Sequence, residues 1–197
     1  MKSVQLILAS ASPRRKALLE QIGLSPEVHP SSIEEPAYGT SSPADYAREL
    51  AQMKAEAVAR LFPDALIIGA DTIVVVDNIV LGKPTDPKSA RSMLTLLSGR
   101  HHQVITAYSL QLQSSNIVQN QFVTTRVHFK PLLADEIEHY INSGDPFDKA
   151  GAYGIQDYSG VFVDHIEGCF YNVVGFPLSD FNTKLKALLA QHELTLV

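Results

Sequence analysis

Residues 65–76 read ALIIGADTIVVV and contain the longest apolar runs of the chain, interrupted once by Gly-Ala-Asp-Thr. The runs on either side of the interruption, residues 66–68 and 73–76, have the length of strands and are far too short to span a membrane. Asp77-Asn78 comes next, and this turn-forming pair predicts a hairpin into a further strand over residues 79–81. We therefore expect this region to supply strands to a sheet.

Helical signals lie on both sides of these strands in the sequence. Ser12 suits an N-cap and Pro13 suits the first helical position, so a helix is predicted over residues 13–22, ended by Gly23. Alternating helices and strands, with a long hairpin in the second half, predict an α/β fold with a mixed sheet and flanking helices. The other predicted helices cover residues 43–61, 87–97, 134–142 and 177–191, and the other strands cover residues 4–9, 103–113, 117–129 and 171–174.

Length and composition restrict the class of protein. The 197 residues, 45% of them hydrophobic, fit one domain (residues 1–197) with two lobes that divide near residues 100–130. The net charge of −5 argues against broad nucleic-acid binding, which usually needs a basic surface. Cys169 is the single cysteine, which excludes an internal disulfide and is typical of a reducing compartment. With neither a signal peptide nor a membrane span in the sequence, a cytoplasmic location is expected.

The segment from Ser10 to Arg15, Ser-Ala-Ser-Pro-Arg-Arg, is a candidate phosphate-binding site. A helix N-terminus offers unpaired backbone N–H groups and the positive end of a dipole. Arg14 and Arg15 add positive charge to that positive end, which is unfavourable by itself. A bound anion such as a triphosphate would offset this charge. The structural alternative is a capped helix start with two solvated arginines. The segment lacks the glycine and lysine pattern of a Walker P-loop.

Two charged residues fall where apolar residues are expected. Lys54 lies on the apolar stripe of the second predicted helix, so its ammonium either extends to solvent at the stripe edge or has a partner. Asp71 interrupts the apolar run, and a carboxylate there needs hydrogen bonds, a cation or a metal ion. Such an acid can hold Mg²⁺ or act as a general base on water, and an ordinary turn aspartate is the alternative.

Three further segments contain candidate binding residues. Lys83, in Gly-Lys-Pro after the hairpin, is either a second phosphate-binding cation or an exposed turn lysine. Glu35, in an acidic pair with Glu34, either contributes to a metal site or lies solvated in a loop. Residues 148–156 include two glycines that let the backbone approach a ligand, and Gln156 offers a donor and an acceptor to a base edge.

Together these segments resemble the Maf family of nucleotide pyrophosphatases. The likeness extends over nearly the whole chain, and the matching segments follow one another in the family's order. The matching segments are residues 8–15, 50–55, 69–74, 82–84, 97–100 with His102, 148–156 and 172–178. The resemblance implies a Maf/Ham1-like fold, in which a mixed sheet forms the floor of a cleft between two lobes. It is also compatible with a homodimer.

The resemblance further implies a reaction, which is hydrolysis of a nucleoside triphosphate to the monophosphate and pyrophosphate with a divalent metal, Mg²⁺ or Mn²⁺. Asp71 is the implied catalytic residue, either as the base that activates water or as a metal ligand beside Glu35. The implied substrate-binding residues are Ser10, Arg14, Arg15, Lys54, Thr72, Lys83 and Gln156.

The implied substrate depends on three of these positions. Arg14, Thr72 and Gln156 resemble the branch of the family that acts on dTTP and UTP, with Thr72 and Gln156 facing the pyrimidine edge. The alternatives are a pyrophosphatase that acts on 7-methyl-GTP or on a modified pyrimidine nucleotide, and a non-catalytic, nucleotide-binding regulator of septum formation. Asp157 departs from the family pattern, because a glycine is expected after Ile155-Gln156.

Overall fold

The computed structural model describes residues 1–197 and has the α/β architecture that the sequence predicts. None of its helices combines the length and apolar character that crossing a membrane requires. The helices are α1 (Pro13–Gln21), α2 (Pro43–Ala59), α3 (Pro87–Leu97), α4 (Ala134–Asn142), α5 (Phe170–Val174) and α6 (Leu178–Gln191). The strands are β1 (Lys2–Val4), β2 (Leu6–Leu8), β3 (Glu27–Val28), β4 (Leu66–Val76), β5 (Ile79–Leu81), β6 (His101–Leu112), β7 (Ile117–Phe129), β8 (Val163–Glu167) and β9 (Leu194–Leu196).

Seven strands form a mixed sheet in the order β3-β2-β4-β6-β7-β8, with β5 paired to β4. β2 is parallel to both of its neighbours, and Ile7 pairs with Glu27 on one side and with Ile67 on the other. β5 is antiparallel to β4, with Val75 opposite Val80. β1 and β9 form a separate parallel pair. The mixed sheet that the sequence predicts is therefore confirmed.

The chain divides into two compact units and passes from one to the other four times. Two of these crossings fall within the predicted region of residues 100–130, and the other two follow Asp71 and Val174. The first unit comprises residues 1–71, 106–123 and 175–197, and the second unit comprises residues 72–105 and 124–174.

Close contact between α2 and β4 organises the first unit. Ala55 and Val58 of α2 share one buried cluster with Ile67 of β4. Gly69 lies where the two elements meet, because a Cβ atom there would be 2.2 Å from the carbonyl oxygen of Ala51 and 2.6 Å from the backbone nitrogen of Ala55. A residue without a side chain is therefore required at position 69 for the helix to approach the strand this closely.

The second unit has its own apolar core. Leu94 of α3, Phe129 of β7 and Tyr140 of α4 are fully buried in it. Gly151 has a φ of 67°, and a Cβ atom there would lie 2.9 Å from a methyl group of Val74. The segment around residue 151 is thus packed directly against the second half of β4.

Four predicted strands differ from the structure. The strand predicted over residues 4–9 is two strands, β1 and β2, with different partners. The strands predicted over residues 66–68 and 73–76 are one continuous strand, β4, because Gly-Ala-Asp-Thr stays extended. The strand predicted over residues 171–174 is wrong, since these residues belong to α5. There the buried amide of Asn172 donates to the carbonyl oxygen of Val104 and the hydroxyl of Thr125, contacts outside the local sequence.

Candidate functional site

Ser10 connects the end of β2 to the start of α1. The side chain is buried, and its hydroxyl oxygen accepts from the Ser12 N–H at 3.3 Å and from Nη1 of Arg15 at 2.9 Å. Ser12 is the N-cap, as predicted, and its hydroxyl accepts from the Arg15 N–H at 3.4 Å. The Ser10 hydroxyl therefore contacts both the N-terminal end of α1 and the Arg15 guanidinium.

The guanidinium of Arg15 is held by the protein rather than by solvent. Its Nε donates to the carbonyl oxygen of Gly175 at 3.1 Å, in addition to the contact with Ser10. Burial lowers the pKa of Arg15, the charge of Asp71 opposes that shift and the charge of Arg14 adds to it. The alternative of two solvated arginines is thus wrong for Arg15, and Arg14 is itself partly buried.

Asp71 lies on β4, within the sheet, and is only 9% exposed. Its Oδ1 accepts a hydrogen bond from Nζ of Lys54 at 2.6 Å. Burial raises the pKa of Asp71, whereas the positive charges of Lys54 and Arg15 lower it and the negative charge of Glu35 raises it again. The net direction is upward, so this carboxylate is a stronger base than an exposed aspartate.

Lys54 bridges two carboxylates. The side chain is 13% exposed, and Nζ lies 2.7 Å from Oε1 of Glu35 as well as 2.6 Å from Oδ1 of Asp71. Of the two readings that the sequence leaves open, the partnered ammonium is confirmed. Glu35 is 49% exposed, so one carboxylate of the bridge is buried and the other faces solvent. One charged group in the first unit thus contains the buried Asp71, the partly buried Arg15 and Lys54, and the more exposed Glu35.

Tyr46 of α2 belongs to this neighbourhood, although no sequence pattern indicates it. Its hydroxyl donates to the carbonyl oxygen of Pro36 at 2.9 Å, next to Glu35 in the chain. Burial raises the pKa of Tyr46, and the charges of Asp71 and Glu35 raise it further. A lone tyrosine in the first turn of a helix has no distinctive spacing, so only the fold reveals this contact.

The remaining predicted binding residues lie in the second unit. Lys83 and Gln156 are exposed, and Thr72 is partly buried and directly follows Asp71 in β4. They do not belong to the ion-paired group of the first unit. Their proposed roles rest on the sequence.

Lys149 organises the segment that carries Gln156. Its ammonium is buried and donates to the carbonyl oxygen of Asp145 at 2.6 Å and to Oδ1 of Asp148 at 2.7 Å, and it lies 3.1 Å from Oδ2 of Asp157. Burial lowers the pKa of Lys149, but hydrogen bonds to Asp148 and Asp157 raise it, and the net shift is upward. Asp157, the departure from the family pattern, is therefore an acceptor for an internal cation, beside Gln156.

A match to known proteins spans the residues of the charged group in the first unit and the residues around Lys149 in the second. The family model described as Maf-like protein matches residues 5–188. This chain belongs to the Maf family. The matched range includes every residue of the candidate site, from Ser10 to Gly175.

Proteins similar to this chain bear the name dTTP/UTP pyrophosphatase, among them the three that follow. The protein of Syntrophus aciditrophicus is 45% identical over 186 residues, which are 94% of this chain and 91% of the relative. That of Symbiobacterium thermophilum is 48% identical over 174 residues, 88% of this chain and 89% of the relative. That of Vibrio parahaemolyticus is 46% identical over 189 residues, 95% of this chain and 99% of the relative.

The carboxylates of this Maf protein fit the divalent cation that the resemblance implies. Glu35 and Asp71 both lie against one ammonium, that of Lys54, so their oxygens are close together. No group of three or more histidine, cysteine, aspartate or glutamate side chains is arranged to hold a metal. Mg²⁺ is commonly bound by one or two carboxylates together with water and substrate phosphates. A pair of carboxylates near the guanidinium of Arg15 fits that mode of binding.

Proposed function

We propose that this Maf protein is an enzyme that hydrolyses dTTP and UTP to the monophosphate and pyrophosphate. The observation that carries the proposal is the contact of Lys54 with Asp71, a buried base paired with a cation beside Arg15. It occurs in a chain that is 45% identical to the dTTP/UTP pyrophosphatase of Syntrophus aciditrophicus over 94% of its length. A protein that only binds a nucleotide has no need of a buried base.

In the proposed reaction, water attacks the triphosphate and the anhydride linkage between the α and β phosphates breaks. One proton of the water passes to Asp71, whose raised pKa suits a proton acceptor. The negative charge of the leaving pyrophosphate is neutralised by Arg14, Arg15, Lys54 and Lys83. The Ser10 hydroxyl donates to a phosphate oxygen, and the positive dipole end of α1 stabilises the negative charge beside it.

Glu35 would hold the divalent cation, Mg²⁺ or Mn²⁺, and in its alternative role Asp71 would be the second ligand instead of the base. When bound, such an ion supplies Lewis-acid stabilisation of phosphate oxygens and of the charge that develops on them. Thr72 and Gln156 are proposed to read the pyrimidine edge. Lys149 and Asp157 would fix the segment on which Gln156 is carried.

A pyrophosphate-release screen over nucleoside triphosphates, with Mg²⁺, with Mn²⁺ and with EDTA, tests the proposal. We expect release from dTTP and UTP above the purine triphosphates, and loss of release in EDTA. Preferred release from 7-methyl-GTP would change the substrate. No release from any nucleotide under any of these conditions would favour the non-catalytic regulator.

Replacing Gln156 by alanine is expected to reduce the preference for UTP and dTTP over ATP and GTP. Gln156 has an exposed amide that offers both a donor and an acceptor. The preference is the kcat/KM for UTP or dTTP divided by the kcat/KM for ATP or GTP. The loss of one such interaction with the base should make this ratio roughly tenfold smaller. The ratio is measured by pyrophosphate release with each nucleotide in turn.

Gln191→Ala provides the matched control for Gln156→Ala. Gln191 is an exposed glutamine at the end of α6 and has no proposed contact with the substrate. Its variant should keep the parental ratio. An unchanged ratio in Gln156→Ala as well would remove Gln156 from base recognition without affecting the proposed hydrolysis.

A further inference from the structure

Glu35 belongs to a segment with no helix or strand, residues 29–42, and most of that segment is exposed. A carboxylate on such a segment does not stay in one place by itself, because an irregular exposed backbone has few restraints. Two contacts restrain the segment beside Glu35. They are the ion pair of Glu35 with Lys54 and the hydrogen bond from the Tyr46 hydroxyl to the Pro36 carbonyl oxygen.

Both restraints come from one side of one helix. Tyr46 and Lys54 are two steps of four residues apart on α2, a spacing that places side chains along the same side of a helix. The hydrogen bond to Pro36 therefore fixes the backbone immediately after Glu35, and Lys54 meets the carboxylate itself. The Tyr38 ring, from the same segment, also packs edge-on against the Tyr46 ring, with centroids 5.2 Å apart.

The Tyr46 hydroxyl is suited to this contact. Burial and the neighbouring negative charges of Asp71, Glu35 and Glu49 raise its pKa, so the phenol stays protonated and remains a donor at neutral pH. The acceptor is a backbone carbonyl, which keeps its acceptor character at any pH. Neither partner of this hydrogen bond therefore changes its protonation at the neutral pH at which hydrolysis would be assayed.

We propose that Tyr46 is a positioning residue for Glu35, which it keeps beside Lys54 and Asp71 by holding Pro36. The inference rests on the proposed function, in which Glu35 contributes to binding the divalent cation. Tyr46 itself contacts neither the cation nor the substrate in this role. Its effect passes entirely through the neighbouring carboxylate.

The test is a double-mutant cycle of Tyr46→Phe and Glu35→Gln, read by Mn²⁺ binding. Mn²⁺ affinity is measured by electron paramagnetic resonance on the full-length chain with an α,β-methylene analogue of dTTP, which is not hydrolysed. Tyr46→Phe is expected to weaken Mn²⁺ binding roughly 3- to 10-fold, the effect of one lost hydrogen bond behind a metal ligand. In the Glu35→Gln background the same substitution should have no further effect, because the group it positions is gone.

Tyr38→Phe is the matched control. Tyr38 also donates from its hydroxyl to a backbone carbonyl of the segment, that of Ser41, but this contact lies farther along the chain from Glu35. Its variant should bind Mn²⁺ as the parent does. Parental Mn²⁺ affinity in Tyr46→Phe, or an equal loss with and without Glu35, would overturn the inference. The pyrophosphate-release screen judges the proposed function separately, since the binding cycle needs no turnover.

Discussion

Asp71→Asn is expected to lower the turnover number on dTTP and UTP on the order of 10²-fold or more, the usual contribution of a general base. Asparagine keeps the shape of the side chain and a hydrogen-bond acceptor for Lys54. It cannot accept the proton of the attacking water, and it has no negative charge to offset the positive charge of Lys54. The turnover number is measured as pyrophosphate release at saturating nucleotide and Mg²⁺.

The same variant should be folded and at least as stable as the parent. Burial raises the pKa of Asp71, so above that pKa the charged carboxylate is less favourable in the folded protein than in the unfolded chain. Asparagine removes this cost, and the thermal unfolding midpoint at neutral pH is expected to equal or exceed that of the parent. Low turnover with an unchanged midpoint would therefore separate a catalytic role from a structural one.

Asp77→Asn is the control for Asp71→Asn. Asp77 immediately follows the same strand, is exposed and pairs with Arg100 at the surface. It has a φ of 49°, a conformation that asparagine also adopts readily. Its variant should keep parental turnover. Turnover in Asp71→Asn within a few-fold of the parent would remove Asp71 from the proposed chemistry.

Local sequence patterns predict those elements whose signals are local. The hairpin turn at Asp77-Asn78 is confirmed, with positive φ at both residues, and so is the capped start of α1. The segment at residues 171–174 is rich in β-branched and aromatic residues, yet it is helical. There the buried contacts of Asn172 with Val104 and Thr125 decide the conformation. Propensity is a weak guide where tertiary contacts of this kind compete with it.

The sequence predicts which residues belong to the charged group, but it does not predict which of them are in contact. Lys54 and Asp71 are conspicuous in the sequence because each occupies a position where apolar residues are expected. Their mutual distance, and the approach of Glu35, depend on how α2 packs on β4 and on an irregular segment. Neither leaves a periodic signal in the chain. The sequence does not indicate Tyr46 either, because its partner is a backbone carbonyl, which every residue possesses.

Gly69→Ala is expected to destabilise the fold by about 3 kcal/mol, near the upper end for overpacking a well-packed site. The new methyl carbon would lie 2.2 Å from the Ala51 carbonyl oxygen, whereas ordinary contacts begin at 3.4 Å. The obstructing atoms are backbone, so α2 and β4 must separate by about 1 Å, the difference between those two distances. For a protein of this size the thermal midpoint should fall by roughly 6–12 °C.

The matched control is Gly39→Ala, because a Cβ atom at position 39 meets nothing within 4 Å. Its midpoint should stay close to the parental value, and an equally small change in Gly69→Ala would mean that α2 is not packed on β4 as described. The expected consequence for the site is separate from the loss of stability. Lys54 is carried by α2 and Asp71 by β4, so a separation of about 1 Å would stretch their 2.6 Å contact. Misplacement on this scale can cost about 10²-fold in rate. Turnover in Gly69→Ala should therefore fall even at temperatures where the variant remains folded.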